Sequence, residues 1–304
     1  MKKSVDINYS EELIRDVSRL CKDLAGASDS ELVAEKMNYY LNPNAHIYRI
    51  KETVLANQEI MQRVGENQRV GTTRILEIGS GIGTCCFIMK AFTGADVVGI
   101  EPAPESYHNL LDCIKDFIKC NEHLSYESLQ CGGEKVPYPD KSFDFIYSFE
   151  VMEHVQNPRK VFEEIYRLLK PNGCAYIATC NYDSFYEGHY KRFWNPFIGV
   201  EGNRKRFIRK GLSDKFLSEL NFITKRQIKT WVSEIGFKQL IFNPAMNEDK
   251  TFPEIRLNYP DDFVMPIDEK HQSVWLHRKI ESAKIANFLA KFDREYKLYF
   301  ILIK

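Results

Sequence analysis

Arg74-Ile75-Leu76-Glu77-Ile78-Gly79-Ser80-Gly81-Ile82-Gly83-Thr84 passes from a short apolar run into a cluster of glycines. A run of this length that stops at glycine reads as a buried parallel strand. Residues 83–92 read as the helix that follows. Glycines admit positive φ and let the backbone come close to a ligand. The first turn of a helix adds free N–H donors. A strand, a glycine loop and a helix in this order suit a nucleotide-like cofactor.

The same alternation continues downstream. Ala95–Ile100 reads as a second strand and 104–119 as an amphipathic helix. A weak strand is expected over 124–129 and a stronger one over Ser142–Ser148. A helix over Pro158–Lys170 and a strand over Cys174–Cys180 follow, separated by Pro171-Asn172-Gly173 as a break. Such spacing predicts an α/β fold with a parallel, doubly wound sheet and helices on both faces. Beyond residue 181 the pattern loosens. Residues 182–222 read as an insertion with helical pieces, Thr224–Ile235 as a helix, and Phe237–Phe242 as a strand. Residues 244–290 read as a second insertion, with a helix near 278–291, and Lys297–Lys304 as a final apolar strand. Residues 1–70 show helical spacing (Leu13, Ile14, Val17, Leu20) and no strand signal. The expected organisation is an N-terminal helical cap over 1–70 and a catalytic domain over 71–304, with 182–222 and 244–290 as insertions on the substrate side. Tyr39 and Tyr40 fit a lid over the cofactor or ordinary helix packing.

The glycine spacing bears on which cofactor binds. The dinucleotide fingerprint is G-x-G-x-x-G. Counted from Gly79, its third glycine falls on Thr84, whereas here the third glycine is Gly83. Glu77 precedes the first glycine by two positions. A carboxylate beside two phosphates gains nothing, but a cofactor carrying ammonium and sulfonium charges gains from it. The loop therefore favours S-adenosylmethionine over NAD. Glu101, at the end of the second strand and followed by Pro102, suits ribose hydroxyls through paired O–H···O⁻ bonds; either cofactor would use it.

Three segments together resemble the class I S-adenosylmethionine-dependent methyltransferases of small-molecule type. They are RILEIGSGIGT, VVGIEP and EKVPYPDKSFDFIYSFEVMEHVQNPRKVFEEIYRLLKPNGCAYIATCN. The resemblance covers about residues 70–182, with weaker support from 222–243 and the last strand. It implies a Rossmann-like sheet of seven strands whose last strand is antiparallel and inserted next to the sixth. It also implies that Glu77, Gly79, Ser80, Gly81 and Gly83 line the methionine part of the cofactor, that Glu101 holds the ribose, and that Gly133 and Glu134, beside Gly132, flank the adenine. Phe149, Glu150 and His154 would close the pocket. Many relatives carry an Asp where this chain has Gly132, so adenine would rely on backbone contacts or on a neighbour such as Gln130. The missing Asp also keeps a non-catalytic cofactor-binding protein as an alternative, beside an NAD-dependent oxidoreductase.

Methyl transfer from a sulfonium needs alignment above all, for which positioning supplies up to about 7–11 kcal/mol. A general base matters only for a hydroxyl-like acceptor. The candidates are His154, just after the fourth strand, and His189, within Glu187-Gly188-His189-Tyr190-Lys191-Arg192-Phe193-Trp194. His154 equally fits a structural role at the turn before Asn157-Pro158. Residues 191–210 hold Lys191, Arg192, Arg204, Lys205, Arg206, Arg209 and Lys210 against Glu201 alone, interleaved with Phe193, Trp194, Phe197 and Phe207. That composition suits an anionic, glycan-like acceptor or a solvated face. Transfer to oxygen of a small-molecule or glycan-like acceptor is the expectation.

Composition sets the outer limits. Lys+Arg and Asp+Glu both number 42 in 304 residues, which argues against nucleic acid as partner. Ser148-Phe149-Glu150 also differs from the N-P-P-Y type sequence of methyltransferases that act on DNA bases. The eight cysteines show no C-x-x-C spacing, so no metal site is expected. No apolar stretch is long enough to span a membrane. The N-terminal stretch has no apolar segment of secretory type, and a cytoplasmic setting with reduced thiols is expected.

Overall fold

The structure, a computed structural model, describes residues 73–81, 83–102, 125–190, 192–212, 215–242, 292–294 and 296–304. The helical cap over 1–70 with Tyr39 and Tyr40, the helix over 104–119, and the 244–290 insertion with its helix near 278–291 lie outside these residues. Strand β1 (Arg74–Ile78), helix α1 (Thr84–Thr93), β2 (Asp96–Ile100), β3 (Glu127–Leu129), β4 (Phe143–Phe149), α2 (Pro158–Leu168) and β5 (Leu169–Cys180) follow one another in the expected alternation. A hairpin of β6 (Tyr186–Glu187) and β7 (Arg192–Phe193) comes next. Then come α3 (Gly199–Arg209), α4 (Lys215–Ser218), α5 (Lys225–Ile235), β8 (Gln239–Phe242) and β9 (Lys297–Ile303).

Seven strands form one sheet in the order β3-β2-β1-β4-β5-β9-β8. Strands β1 to β5 pair in parallel, and β9 runs antiparallel to both β5 and β8. The antiparallel last strand inserted beside the sixth is the arrangement the resemblance implied. Chain order reverses between β1 and β4, and such a reversal opens a crevice at the carboxyl ends of the strands.

Successive residues of a strand point to opposite faces. Leu76 and Ile78 of β1 join a core with Val161, Phe162 and Ile165 of α2 and Ile228 and Val232 of α5. Glu77 points the other way, toward Cys86 of α1. Helix α2 is short and sharply amphipathic, burying Val161, Phe162, Ile165 and Leu168 on one stripe. Its start is fixed by Asn157, whose side chain accepts from the Lys160 N–H, and by Pro158 in the first turn. Helix α5 opens on a reciprocal cap between Thr224 and Gln227 and closes at Gly236.

Pro171-Asn172-Gly173, expected as a break, lies inside β5. Leu169 pairs with Phe143 and Cys174 with Phe145, so the residues between bulge out opposite Asp144. The bulge is held from the chain's far end: Asn172 N donates to the Lys304 carbonyl, and Lys304 N donates to the Gly173 carbonyl. A chain that punctuates locally as a turn is kept in the sheet by pairing with β9, which no local pattern reveals.

The 182–222 insertion has its own core. Trp194 and Phe207, from the aromatic-basic run, are buried with Tyr182, Tyr186, Leu217, Leu220 and Tyr296. Asn203 of α3 ties this layer together: it accepts from Asn195 N at 2.9 Å and donates to the carbonyls of Asn195 and Gly199. The segment that follows the hairpin is thereby tied to α3.

Candidate active site

The loop after β1 is built by backbone bonds. Gly79 N and Ser80 N both donate to the Ile100 carbonyl, at 2.9 and 3.0 Å, and Gly83 N donates to the Ser80 carbonyl. Gly81 N donates to Glu101 Oε2 at 2.8 Å. Gly79, Gly81 and Gly83 all hold positive φ. At Gly83 a Cβ would stand 1.6 Å from the Tyr126 hydroxyl oxygen, so nothing larger fits. The amides of residues 79, 80, 81 and 83 are therefore engaged within the protein and do not converge on an anion. A dinucleotide needs such amides for its phosphates.

Beneath the loop lies a buried acid. Glu77 is 3% exposed, and its Oε2 accepts from Cys86 Sγ at 2.8 Å and from Tyr147 Oη at 2.9 Å. Burial, then the charge of Glu77, holds the Cys86 thiol and the Tyr147 hydroxyl well above their ordinary pKa values, so both remain donors. Negative charge under the loop opposes phosphates and favours a cation. Burial also raises the Glu101 pKa, against the lowering bond from Gly81. Glu101 N donates to the Leu129 carbonyl, which sets the 130–134 loop beside Glu101. A cationic sulfonium cofactor with a ribose diol fits this donor set.

The remaining cofactor candidates fall around this crevice. Ser80 is buried in the loop, and Pro102 is exposed just beyond Glu101. Gly133 packs beneath Ile78 and Val161, where a Cβ would come within 2.9 Å of Ile78 Cγ2. Glu134 Oε1 accepts from Asn157 N at 3.2 Å, tying this loop to the start of α2. Phe149 packs against Tyr147 and Tyr176 at the end of β4. Glu150 follows in a left-handed conformation, φ 56°, with its N–H on the Ala178 carbonyl at 2.8 Å and its carboxylate on the Lys297 ammonium. Non-glycine residues in that region are uncommon and gather at functional sites.

The two candidate bases meet. The rings of His154, after β4, and His189, in the β6–β7 hairpin, stand 5.2 Å apart edge to face. Hairpin pairing of Tyr186 with Phe193 and Glu187 with Arg192 places His189 in the turn. Gly188 lets that turn press on Tyr296, whose hydroxyl would lie 1.6 Å from any Cβ there. His189 Nδ1 lies 2.6 Å from Glu187 Oε1. Glu187 is fully buried and also accepts from the backbone N–H groups of His189 and Tyr190 and from the Tyr182 hydroxyl. Burial depresses the His189 pKa, but the bond and charge of Glu187, with Glu153 and Glu150 behind, outweigh it and leave the pKa raised.

Glu153 completes the cluster. It is 1% exposed, its Oε2 accepts from Thr179 Oγ1 at 2.8 Å, and its carbonyl accepts from Asn221 N. Single ligand atoms of Glu153, His154 and His189 lie within 4.8 Å of one another. Sequence reasoning singled out both histidines but neither Glu153 nor Glu187. The available signal was an acid one or two positions before each histidine.

The basic run does not converge on an anion among the described residues. Arg204 and Lys205 turn to Glu201, and Arg206 turns to the Phe193 carbonyl. Arg192, Arg209 and Lys210 are exposed, and Lys191 lies outside the described residues. No helix among the described residues is long and apolar enough to cross a membrane.

The profile of the family described as "Methyltransferase domain" matches residues 48–240. An uncharacterized protein of Methanocaldococcus jannaschii is 29% identical over 154 residues, covering 49% of this chain and 66% of that protein, just under two thirds of its length. The ubiquinone biosynthesis O-methyltransferase of Bartonella tribocorum is 32% identical over 191 residues, covering 61% of this chain and 70% of that enzyme. Among solved structures, the YcgJ protein of Bacillus subtilis superposes with a TM-score of 0.45 at 15% identity, over 82% of this chain and 97% of that one.

Proposed function

From a chain that belongs to the methyltransferase-domain family, and so to the class I S-adenosylmethionine-dependent methyltransferases, we propose methyl transfer to a hydroxyl oxygen of a small-molecule or glycan-like acceptor. The observation that carries the oxygen assignment is the convergence of His154, His189 and Glu153 at the carboxyl ends of β4 and β5. An amine brings its own lone pair once neutral, whereas a hydroxyl must lose a proton as it reacts. A pair of imidazoles backed by two buried carboxylates suits that need. The O-methyltransferase of Bartonella named above is consistent with it. Among the described residues the exposed basic side chains build no focused anion site, and the acceptor is assigned no charge.

When bound, S-adenosylmethionine supplies a methyl on a sulfonium: the oxygen–carbon bond forms as sulfur–carbon breaks, the electron pair stays on sulfur, and the acceptor proton must leave. The chain's own residues do the rest. Glu77 sets a negative charge under the glycine loop, Glu101 takes the ribose hydroxyls, and Phe149 and Glu150 shape the wall between cofactor and acceptor. Gly133 and Glu134 hold the loop that flanks the adenine. His189 is aimed by Glu187 and, with His154 and Glu153, receives the acceptor hydroxyl. Domain bounds follow the same reading: a cap over 1–70, a catalytic domain over 71–304, and the 182–222 hairpin and helices as the acceptor's side wall.

Two results are expected of the cofactor side. S-adenosylhomocysteine at 100 times its dissociation constant stabilises the chain by about 2.7 kcal/mol in thermal unfolding, and NAD at the same concentration does not. Glu101→Ala weakens S-adenosylhomocysteine roughly ten- to hundredfold by calorimetry, because bonds to a charged partner contribute about 1.5–3 kcal/mol. For the acceptor atom, carbon-13 methyl-labelled cofactor should give a product whose methyl carbon resonates as a methoxy group. A nitrogen- or carbon-bound methyl overturns the assignment to oxygen.

A further inference from the structure

We propose that Glu153, His154 and His189 bind one divalent first-row transition cation, Mn²⁺, Fe²⁺ or Zn²⁺, whose open coordination positions take the acceptor's oxygen. This deepens the hydroxyl reading above and names how the cluster serves it.

The donor set is one carboxylate and two imidazoles, with single donor atoms of all three within 4.8 Å of one another. Ligands of one ion at about 2.0–2.2 Å stand roughly 3–4 Å apart, so side-chain movement of about an ångström closes the site. Two nitrogens and one oxygen on one side of an ion suit a transition cation and leave other positions free. The three ligands come from rigid places: Glu153 and His154 from the turn after β4, and His189 from a hairpin pinned over Tyr296.

The second observation is the shell behind them. Metal-binding histidines usually engage their other ring nitrogen with a carboxylate, which fixes ring and tautomer. His189 does so at 2.6 Å, through Nδ1 to the fully buried Glu187. Glu153 is likewise oriented, by Thr179 Oγ1 at 2.8 Å. A general base needs only one imidazole and one orienting acid. The second imidazole and the second buried acid at the same point complete a ligand set for a cation.

A divalent ion touching the acceptor oxygen draws charge from it and favours loss of its proton to solvent. It also fixes the oxygen in place, which is the alignment methyl transfer requires. An acceptor with two adjacent oxygens, a catechol or a vicinal diol, would fill both open positions.

The test uses the full chain, stripped of metal, and Mn²⁺ as the only ligand, followed by loss of its free-ion paramagnetic resonance signal. One ion per chain is expected. His154→Ala alters an exposed side chain and should leave the fold intact while abolishing stoichiometric binding; His189→Asn should do the same. Glu187→Gln should weaken binding by about 10–100-fold, the usual effect of an outer-shell change. No stoichiometric binding by the wild-type chain, or binding that survives both histidine substitutions in folded protein, overturns the proposal. The readout involves neither cofactor nor acceptor, so it fails separately from the methyl-transfer reading: a methyl found on nitrogen sinks the oxygen assignment and leaves a bound ion standing.

Discussion

Replacing His189 with alanine is expected to lower turnover by about 10²–10⁴-fold while leaving the affinity for S-adenosylhomocysteine unchanged, the range typical of losing a group that assists proton removal. The split follows from where the residue hangs. His189 sits in the turn of the β6–β7 hairpin, held by Glu187 and braced on Tyr296. The cofactor loop is built from β1, β2 and Gly79 to Gly83. Removing the imidazole takes away the acceptor's partner without touching that loop. Single-turnover rates beside calorimetry of the cofactor product read the two quantities separately. Wild-type turnover in this variant would remove His189 from the chemistry. An equal loss of cofactor affinity would mean that the hairpin supports the whole pocket.

Gly83→Ala should do the reverse, destabilising the chain and emptying the cofactor site together. The residue holds φ 79°, and an added Cβ would lie 1.6 Å from the hydroxyl oxygen of buried Tyr126. Backbone strain of about 1–3 kcal/mol adds to overpacking of about 1–3 kcal/mol, so a loss of roughly 2–6 kcal/mol is expected. Gly94 is the control: its φ is 64°, but nothing lies within 4 Å of the added Cβ. Gly94→Ala should therefore show the strain alone. Denaturant unfolding of the two variants side by side separates strain from collision. Similar losses at both positions would mean that Tyr126 yields freely and that the loop is looser than its contacts imply.

Much of this fold was legible in the sequence because the sheet's central strands are buried on both faces. Arg74–Ile78 and Phe143–Phe149 are apolar at most positions, and the glycine spacing after the first of them marks the turn into α1. Thr224 and Gly236 likewise bracket α5 where capping chemistry predicts. What the sequence hid was non-local. Pro171-Asn172-Gly173 looks like a turn but is carried as a bulge within β5, because Lys304 bonds across it from the chain's end. The expectation of no metal site rests on cysteine spacing alone, whereas the cation proposed above rests on histidines from different loops. His154 and His189 were visible as separate candidates, yet only the folded chain brings their rings to 5.2 Å of each other. Glu153 and Glu187 were missed because acids in solvated-looking loops give no sign of burial until Thr179, Tyr182 and the backbone of Tyr190 close over them. The aromatic-basic run split in a way that composition could not show: Trp194 and Phe207 went to a small core, and the charges stayed outside it.

The central claim is that this chain moves a methyl group from S-adenosylmethionine to a hydroxyl. The most direct test incubates the purified chain with methyl-labelled cofactor and a fractionated extract of its source cells, and follows label into small-molecule, lipid, glycan, protein and nucleic-acid fractions. Label bound through oxygen in a small-molecule or glycan fraction, and lost with His189→Ala, is the predicted result. No label in any fraction, with cofactor binding confirmed in the same preparation, or label confined to nitrogen or carbon, would contradict it.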